Sequence, residues 1–408
     1  KQGKTLKIEA MYAGIQSSYW LGVCLFSGFM AVYLGFYGFS DTLIGLTSSL
    51  ISLITVAFQL FVSAYSDKHP HIPIKRTAAL IYLALLALTA LLSLLPLPMA
   101  AMFLVYSLTG GLINAMPGLY NALIMQFINL GIPVNLGWPR GVSAVVYALS
   151  AFFMGLALER FAASILMPLC LAALVIALLF VLKMPEPKAE AALLPVSGAG
   201  HHHSGFRQLL GANPVLQLFL LASVVMNAGQ SNTLLFLPRI IFSAGGSQRD
   251  LGLALFLQVG AEMPGMLLTP WLLRRFRSRA ILSVSFVSYL GKSLIILFSG
   301  SIPGILTAAS SSLFCFGLYG ISSMYFVNDI VKPHEKVRAQ VLVSMSGALA
   351  AIFANPIAGM IADQFGVYTL NLACAICQLT ALALMLICAW LQNAQERSPA
   401  PSRRGQAL

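Results

Sequence analysis

Residues 163–183 read ASILMPLCLAALVIALLFVLK, and no charged side chain occurs in this run before its final lysine. An α-helix rises about 1.5 Å per residue, so about 20 such residues cover the roughly 30 Å hydrocarbon core of a bilayer. The stretch therefore predicts a transmembrane helix.

The whole chain has the composition of a membrane protein. Of its 408 residues, 59% are hydrophobic and only 9% are charged, whereas soluble domains carry about 25% charged residues. The net charge of +12 comes from short clusters that lie between apolar runs. That distribution is typical of membrane topology and not of a nucleic-acid-binding surface. We therefore expect the lipid bilayer as solvent and no nucleic acid as partner.

Eleven further runs resemble the first one in length and hydrophobicity. The twelve predicted spans are 11–37, 43–65, 77–95, 99–124, 141–159, 163–183, 214–238, 251–273, 279–299, 303–327, 339–362 and 367–391. An even number of spans places both termini on one side. Of the 24 Lys and Arg residues, 20 fall on that side, three on the other, and Lys292 falls inside a span. By the positive-inside rule the termini are cytoplasmic, in a plasma membrane or bacterial inner membrane.

The span pattern divides the chain into two halves of six helices. Residues 1–183 form the first half, a Pro- and Gly-containing connection follows at 184–213, the second half is 214–392, and 393–408 is predicted to be a disordered tail. Two six-span halves suggest a duplicated transporter. Faint support comes from Gly155-Leu-Ala-Leu-Glu159 and Gly359-Met-Ile-Ala-Asp363, which end corresponding spans.

Two charged side chains remain inside predicted spans after loops and span ends have been assigned. Glu262 lies 12 residues past Asp250 at one end of its span, and Lys292 lies 13 residues past Arg279 at one end of the next span. At about 1.5 Å per residue both lie roughly 18–20 Å from those ends, near mid-membrane. Ionised groups at that depth are costly and usually mark a transport pathway. A buried ion pair that only fixes helix packing is the alternative. We expect Glu262 to bind solute or carry a coupling proton, with Lys292 setting its charge.

Uncharged polar residues also recur at helical spacing. Interhelical hydrogen bonding could account for any one of these stripes, but several together favour a site for a polar solute. The candidate positions are Tyr12, Gln16 and Tyr19 in the first span, Asn114 and Asn121 in the fourth, Asn227, Gln230 and Ser231 in the seventh, Gln258 in the eighth, and Ser288 in the ninth.

Catalysis, metal binding and redox chemistry find little support. The six cysteines lie in apolar runs, and all six histidines lie outside the predicted spans. An intramembrane enzyme would need paired acids, a histidine cluster or a nucleophile with its base. We therefore expect no enzymatic activity, no cofactor and no metal.

The connection after the second span resembles the signature loop of the major facilitator superfamily. It carries Asp67 and Lys68, followed by Lys75 and Arg76, an acid with a basic cluster. The resemblance implies an all-α fold of twelve helices in two pseudo-symmetric halves. It also implies that these four residues latch the halves together as a cytoplasmic gate. Ordinary positive-inside charge is the alternative explanation.

The fifth span resembles that of the lactose permease group of oligosaccharide–proton symporters. There, Gly-x-x-Arg is followed seven residues later by an aromatic residue, and here Gly137, Arg140 and Tyr147 fit that spacing. The resemblance implies that Arg140 bonds sugar hydroxyls and that Tyr147 stacks on the ring. Asn121 stands where that group has a sugar-binding acid. Glu262 and Lys292 match an acid and an arginine of the eighth and ninth helices.

This chain departs from that group in the tenth span, where Phe314 and Gly317 replace residues of proton transfer. We expect a monomeric, proton-coupled importer of a small polar solute, a sugar or glycoside. Nucleoside–proton symport and efflux of small amphipathic compounds are the alternatives, and a sensor that transports nothing is an alternative of a different class. A cytoplasmic anchor is the alternative reading of Arg140.

Overall fold

All regular elements in the described part of the chain are helices. The computed structural model describes residues 2–69, 72–130, 132–134, 136–185, 209–211, 213–332 and 335–397. Residues 186–208, most of the predicted central connection, lie outside that part, and so do residues 398–408 of the predicted tail. The last helix continues to Arg397, five residues into the segment 393–408.

The described residues of the first half form seven α-helices. They are Gln2–Val23, Met30–Phe36, Asp41–Lys68, Ile74–Leu94, Met99–Asn129, Gly137–Leu158 and Leu166–Lys183. The first two form one bent span, because a π-helical turn at Cys24–Gly28 separates them and the axis turns by 49°. A π turn widens the hydrogen-bond spacing and bends a helix without proline.

Seven α-helices also lie in the part of the second half that the structure describes. They are Pro214–Leu235, Leu237–Ser243, Gln248–Leu273, Ser278–Ser299, Ile302–Ser310, Phe316–Ile330 and Lys336–Arg397. The first two form the seventh span. Ile302–Ser310 and Phe316–Ile330 form the tenth span, which is interrupted by a 3₁₀ turn at Ser311–Leu313. The sequence predicts a continuous helix there, because no proline or glycine occurs at residues 311–315.

The final helix crosses the membrane twice. Its 62 residues would extend about 93 Å at about 1.5 Å per residue, three times the hydrocarbon thickness. Gly366, with φ 80° and ψ 177°, breaks it. The returning segment brings the Cys388 thiol to the Val215 carbonyl oxygen at 3.4 Å, at the start of the seventh span.

The span count follows from three facts about the described residues. Ten helices are long and apolar enough to cross a membrane, the bent first span is an eleventh, and the division at Gly366 makes twelve. The all-α architecture predicted from the sequence is confirmed. Most boundaries lie within four residues of their predicted positions. The first span begins nearer the N-terminus, and the fourth, seventh and twelfth spans end five or six residues later than predicted.

Glycines let the two halves approach each other along two helix pairs. The second span packs on the eleventh, and a Cβ atom on Gly45 would lie 2.3 Å from the Asn355 carbonyl oxygen. The fifth span packs on the eighth, where a Cβ on Gly155 would lie 2.7 Å from the Gly252 Cα. Small residues of this kind permit close helix packing in membranes.

Candidate functional site

A polar cluster in the first half is centred on the Tyr12 hydroxyl. This hydroxyl donates to Asn121 Oδ1 at 2.9 Å and accepts from Gln16 Nε2 at 2.7 Å. Arg140, exposed in the first turn of Gly137–Leu158, interacts with the same hydroxyl. Two predicted site residues, Asn121 and Arg140, are thus brought together by Tyr12.

Tyr147 lies two helical turns beyond Arg140 and meets the other half. Its ring packs edge-to-face on Trp20, with centroids 6.0 Å apart. Its hydroxyl lies 3.1 Å from where a Cβ on Gly28 would stand, so the glycine of the π turn makes room for it. Leu255 Cδ1 of the eighth span lies 3.9 Å from the same Cβ position. Tyr147 therefore lies where the aromatic residues of the first half meet the eighth span of the second.

A second polar cluster surrounds Lys292, whose side chain is only 4% exposed. The ammonium donates to Gln258 Oε1 at 3.3 Å and to Ser312 Oγ at 3.0 Å. Glu262, one turn beyond Gln258, interacts with the Gln258 amide and with the charge of Lys292. Glu262 and Lys292, both described, form no ion pair within 4.0 Å. Gln258 thus bridges the two charges that the sequence analysis expected to meet.

The two predicted site residues of the seventh span, Asn227 and Gln230, lie apart from both clusters, and Asn227 contacts the eleventh span. The Asn227 amide donates to Ser346 Oγ at 3.2 Å and to the Ser223 carbonyl oxygen at 2.8 Å. Gln230 is half-buried one turn further along. Among the described hydrogen bonds, none joins Asn227 or Gln230 to the clusters of Tyr12 and Lys292. These two residues stay predictions.

The predicted gate residues lie at the end of the molecule where Gln2 begins, which we call the terminal side. Lys68 and Arg76 are exposed and Lys75 is half-buried. Within the described part of the chain, no hydrogen bond or ion pair joins these three to the second half. The side chain of Asp67 lies outside the described residues. The gate stays a prediction.

The terminal side is open between the halves. A cavity of about 770 Å³ lies there between the second span and the tenth and eleventh spans. Its polar lining consists of Thr55, Gln59, Asn328, Lys336, Gln340 and Ser344.

The opposite end, which we call the far side, is closed by an acid of the second half. Asp363 accepts from the backbone N–H groups of Asp41 and Thr42 at 3.0 and 2.7 Å, and from Thr42 Oγ1 at 2.6 Å. These N–H groups begin the second-span helix, where a carboxylate is favoured by the helix dipole and by unpaired donors. The Asp363 carboxylate thus caps a helix of the first half.

Two further contacts lie on the far side. Arg239 Nε pairs with Asp41 Oδ2 at 3.0 Å. Ser247 Oγ donates to Glu159 Oε1 at 2.8 Å. The two glycine–acid segments noted in the sequence therefore occupy corresponding places in the two closing helix pairs.

Two residues of these clusters, Trp20 and Ser312, are not among the candidates predicted from the sequence. Trp20 continues the helical face of Gln16, to which its indole N–H donates at 3.2 Å, and that spacing was a usable signal. Ser312 lies within the run Ser310–Ser312, which is unusual in an apolar span. Its partner Lys292 belongs to another helix, so packing was needed to identify it.

Comparison with known proteins gives the fold. A model of the Major Facilitator Superfamily matches residues 218–408. The solved structure of the nucleoside transporter NupG is similar over 95% of this chain and 98% of its own, at 17% identity and a TM-score of 0.77. This chain has the major facilitator fold. A mutant of NupG gives the same TM-score at 16% identity, over 95% of this chain and 99% of its own.

A more distant major facilitator structure is also similar. It is an inward-facing, unoccupied bacterial homolog of the human lysosomal transporter Spinster, which matches over 97% of this chain and 98% of its own, at 12% identity and a TM-score of 0.67. No curated protein sequence matches this chain. At these identities the likeness extends to the fold, and the resemblance to the lactose permease group stays a prediction.

Proposed function

We propose that this chain is a secondary transporter that moves a sugar or glycoside across the membrane by alternating access, coupled to protons. One observation carries the proposal. Each half carries a polar cluster inside its apolar spans, one around Tyr12 in the first half and one around Lys292 and Glu262 in the second. A site that is shared by two rocking halves is the arrangement used by inverted- and parallel-repeat transporters.

The chemistry of the two clusters fits a neutral polyhydroxylated ring. The first cluster supplies amide and guanidinium donors from Asn121 and Arg140, and the second supplies the Glu262 carboxylate and the Gln258 amide. Trp20 and Tyr147 provide aromatic surface beside them. Polar edges with an aromatic face suit sugar hydroxyls above a ring plane.

A nucleoside is the second candidate, because the NupG structures share the fold over nearly the whole chain. A nucleoside also carries a sugar ring, so the hydrogen-bonding groups would serve both solutes. The base would add stacking on Trp20 or Tyr147, an interaction worth about 1–3 kcal/mol per base in nucleic-acid-binding proteins.

Glu262 is the residue that we assign to proton coupling. It is the one acid placed inside the apolar spans, and it shares Gln258 as a neighbour with Lys292. A carboxylate that binds a proton and solute in alternate steps couples the two movements. With the termini in the cytoplasm, as the charge distribution predicts, the open cavity faces the cytoplasm and the structure is inward-facing.

The decisive experiment is counterflow in proteoliposomes loaded with one solute class at a time. We expect exchange with a sugar or glycoside in the wild-type protein, whereas exchange only with nucleosides would select the second candidate. Absence of exchange with every class would contradict transport and favour a sensor.

The site assignment has its own variant. Glu262→Gln should abolish uptake driven by a proton gradient, because the amide cannot bind and release the proton. Glu159→Gln is the matched control, since Glu159 is an exposed acid on the far side. Proton-driven uptake that survives Glu262→Gln would overturn the assignment.

A further inference from the structure

The buried Lys292 ammonium is held by two oxygen atoms from two different helical segments. The ammonium lies 3.3 Å from the Gln258 amide oxygen and 3.0 Å from the Ser312 hydroxyl. The Glu262 carboxylate acts on it without direct pairing. Carbonyl, hydroxyl and carboxylate oxygens are also the ligands that hard metal cations take.

The interruption of the tenth span adds a second cation-favouring feature at the same place. Helix Ile302–Ser310 ends two residues before Ser312, and Cys315 has φ −81° and ψ −97°, outside the helical range. A helix C-terminus carries partial negative charge, which favours a cation. Interrupted helices supply such ends to coupling cations in other transporters.

We propose that the Lys292 ammonium is the permanent occupant of a monovalent-cation site formed by Gln258, Ser312, Glu262 and the end of helix Ile302–Ser310. This inference rests on the proposed transport function and goes further, since it concerns the coupling ion. A tethered cation cannot be released with the solute. Transport is therefore independent of sodium, and Glu262 remains the group whose charge changes during the cycle.

Removal of the tethered cation tests this proposal. Lys292→Ala deletes the carbons and nitrogen beyond Cβ, which n-propylammonium replaces atom for atom. We expect n-propylammonium to raise the uptake of Lys292→Ala about tenfold over choline at equal ionic strength, the effect of one charge-assisted hydrogen bond. It should also raise the Tm of purified Lys292→Ala, a readout that does not depend on transport.

Three controls make the result specific. Lys292→Met fills the same space without charge, so n-propylammonium should leave its uptake and Tm unchanged. Lys183→Ala removes an exposed lysine at the end of the sixth span, and n-propylammonium should have no effect on it. Ser312→Ala, combined with Lys292→Ala, should weaken the effect of n-propylammonium, because one ligand of the site is lost.

The outcomes separate this inference from the proposed function. Wild-type uptake that is stimulated by sodium over choline would overturn the inference, even if Lys292→Ala does not fold. Folded Lys292→Ala with no response of Tm to n-propylammonium or sodium would overturn it as well. If the wild-type protein exchanges no solute, the proposed function fails, whereas the Tm response still decides whether a cation site exists.

Discussion

Two helix pairs close the far side, and each combines close glycine packing with an acid at the end of one helix. The pairs differ in the hydrogen bonds that this acid accepts. In the eleventh–second pair, Asp363 accepts three hydrogen bonds from the start of the opposite helix. In the fifth–eighth pair, Glu159 accepts one hydrogen bond, from the Ser247 hydroxyl. The eighth-span helix has its own cap, since Asp250 accepts from the Ser247 backbone N–H at 2.8 Å.

The difference indicates which contact controls opening. When the eleventh span leaves the second, two backbone N–H groups lose the carboxylate that satisfies them. The second-span helix keeps only its Ser40 cap, in which Ser40 Oγ accepts from the Leu43 N–H at 3.3 Å. When the fifth span leaves the eighth, the eighth-span helix keeps its capping box and loses one side-chain bond. We therefore expect the eleventh–second pair to act as the latch and the fifth–eighth pair to act as a sliding contact held by glycine packing.

The largest effect should come from Gly359→Leu. A Cβ there would lie 2.3 Å from the Asp41 carbonyl oxygen, and overpacking of this kind costs about 1–3 kcal/mol or more. The latch should open, with a longer electron-spin distance between labels at the exposed positions 36 and 365 after replacement of the six cysteines. Gly118→Leu is the control, because no neighbouring atom lies within 4 Å of its Cβ. An unchanged distance in Gly359→Leu would contradict the latch.

Asp363→Asn should have the next largest effect. Hydrogen bonds to charged groups contribute about 1.5–3 kcal/mol. The ratio of closed to open molecules should therefore fall by roughly tenfold or more. The same pair of labels measures it. Glu159→Gln is the matched change in the other pair, and it should shift the equilibrium by less than about 0.5 kcal/mol. Equal effects of the two variants would show that both helix pairs contribute equally to the stability of the closed state.

Ser247→Ala should act locally in the fifth–eighth pair. Loss of the cap residue costs about 1 kcal/mol of helix stability. Hydrogen exchange should therefore quicken at the first amides of Gln248–Leu273, while the distance across the latch stays unchanged. A longer latch distance in this variant would mean that the two pairs open together.

The smallest effect should come from Arg239→Gln. The Arg239–Asp41 pair is half in solvent, with Arg239 56% and Asp41 11% exposed, and exposed pairs contribute about 0–1 kcal/mol. Its contribution to latch closure should disappear at about 1 M salt, where screening acts within about 3 Å. A salt-independent loss in Arg239→Gln would indicate a buried role for this arginine.

The span plan could be predicted from the sequence because hydrocarbon thickness and charge placement each constrain it independently. The interruption in the tenth span could not, since its serines permit a helix and only packing around Lys292 selects the turn. The same holds for the contact between Asn121 and Tyr12, which belong to separate helices. Periodicity indicates which residues share a helix face, whereas contacts across helices depend on how those faces are rotated.

For Glu262 and Lys292, the sequence predicts the positions of the charges along their helices but not the contacts that they make with other helices. The sequence identified the two charges because each is isolated in an apolar span. It also placed Gln258 one turn from Glu262. The bridging position of Gln258 and the bond to Ser312 depend on where the ninth span meets the tenth, which no single-helix pattern specifies.

Gly366 has a mechanical consequence. Its φ of 80° joins the eleventh and twelfth spans at a single residue that only glycine adopts readily. Because only one residue connects them, we expect a tilt of the eleventh span away from Asp41 to move the twelfth span as well. The twelfth span is in turn hydrogen-bonded to the seventh through Gln378 and Cys388. Breaking the Asp363 contact on the far side should therefore displace the ends of the eleventh and twelfth spans on the terminal side.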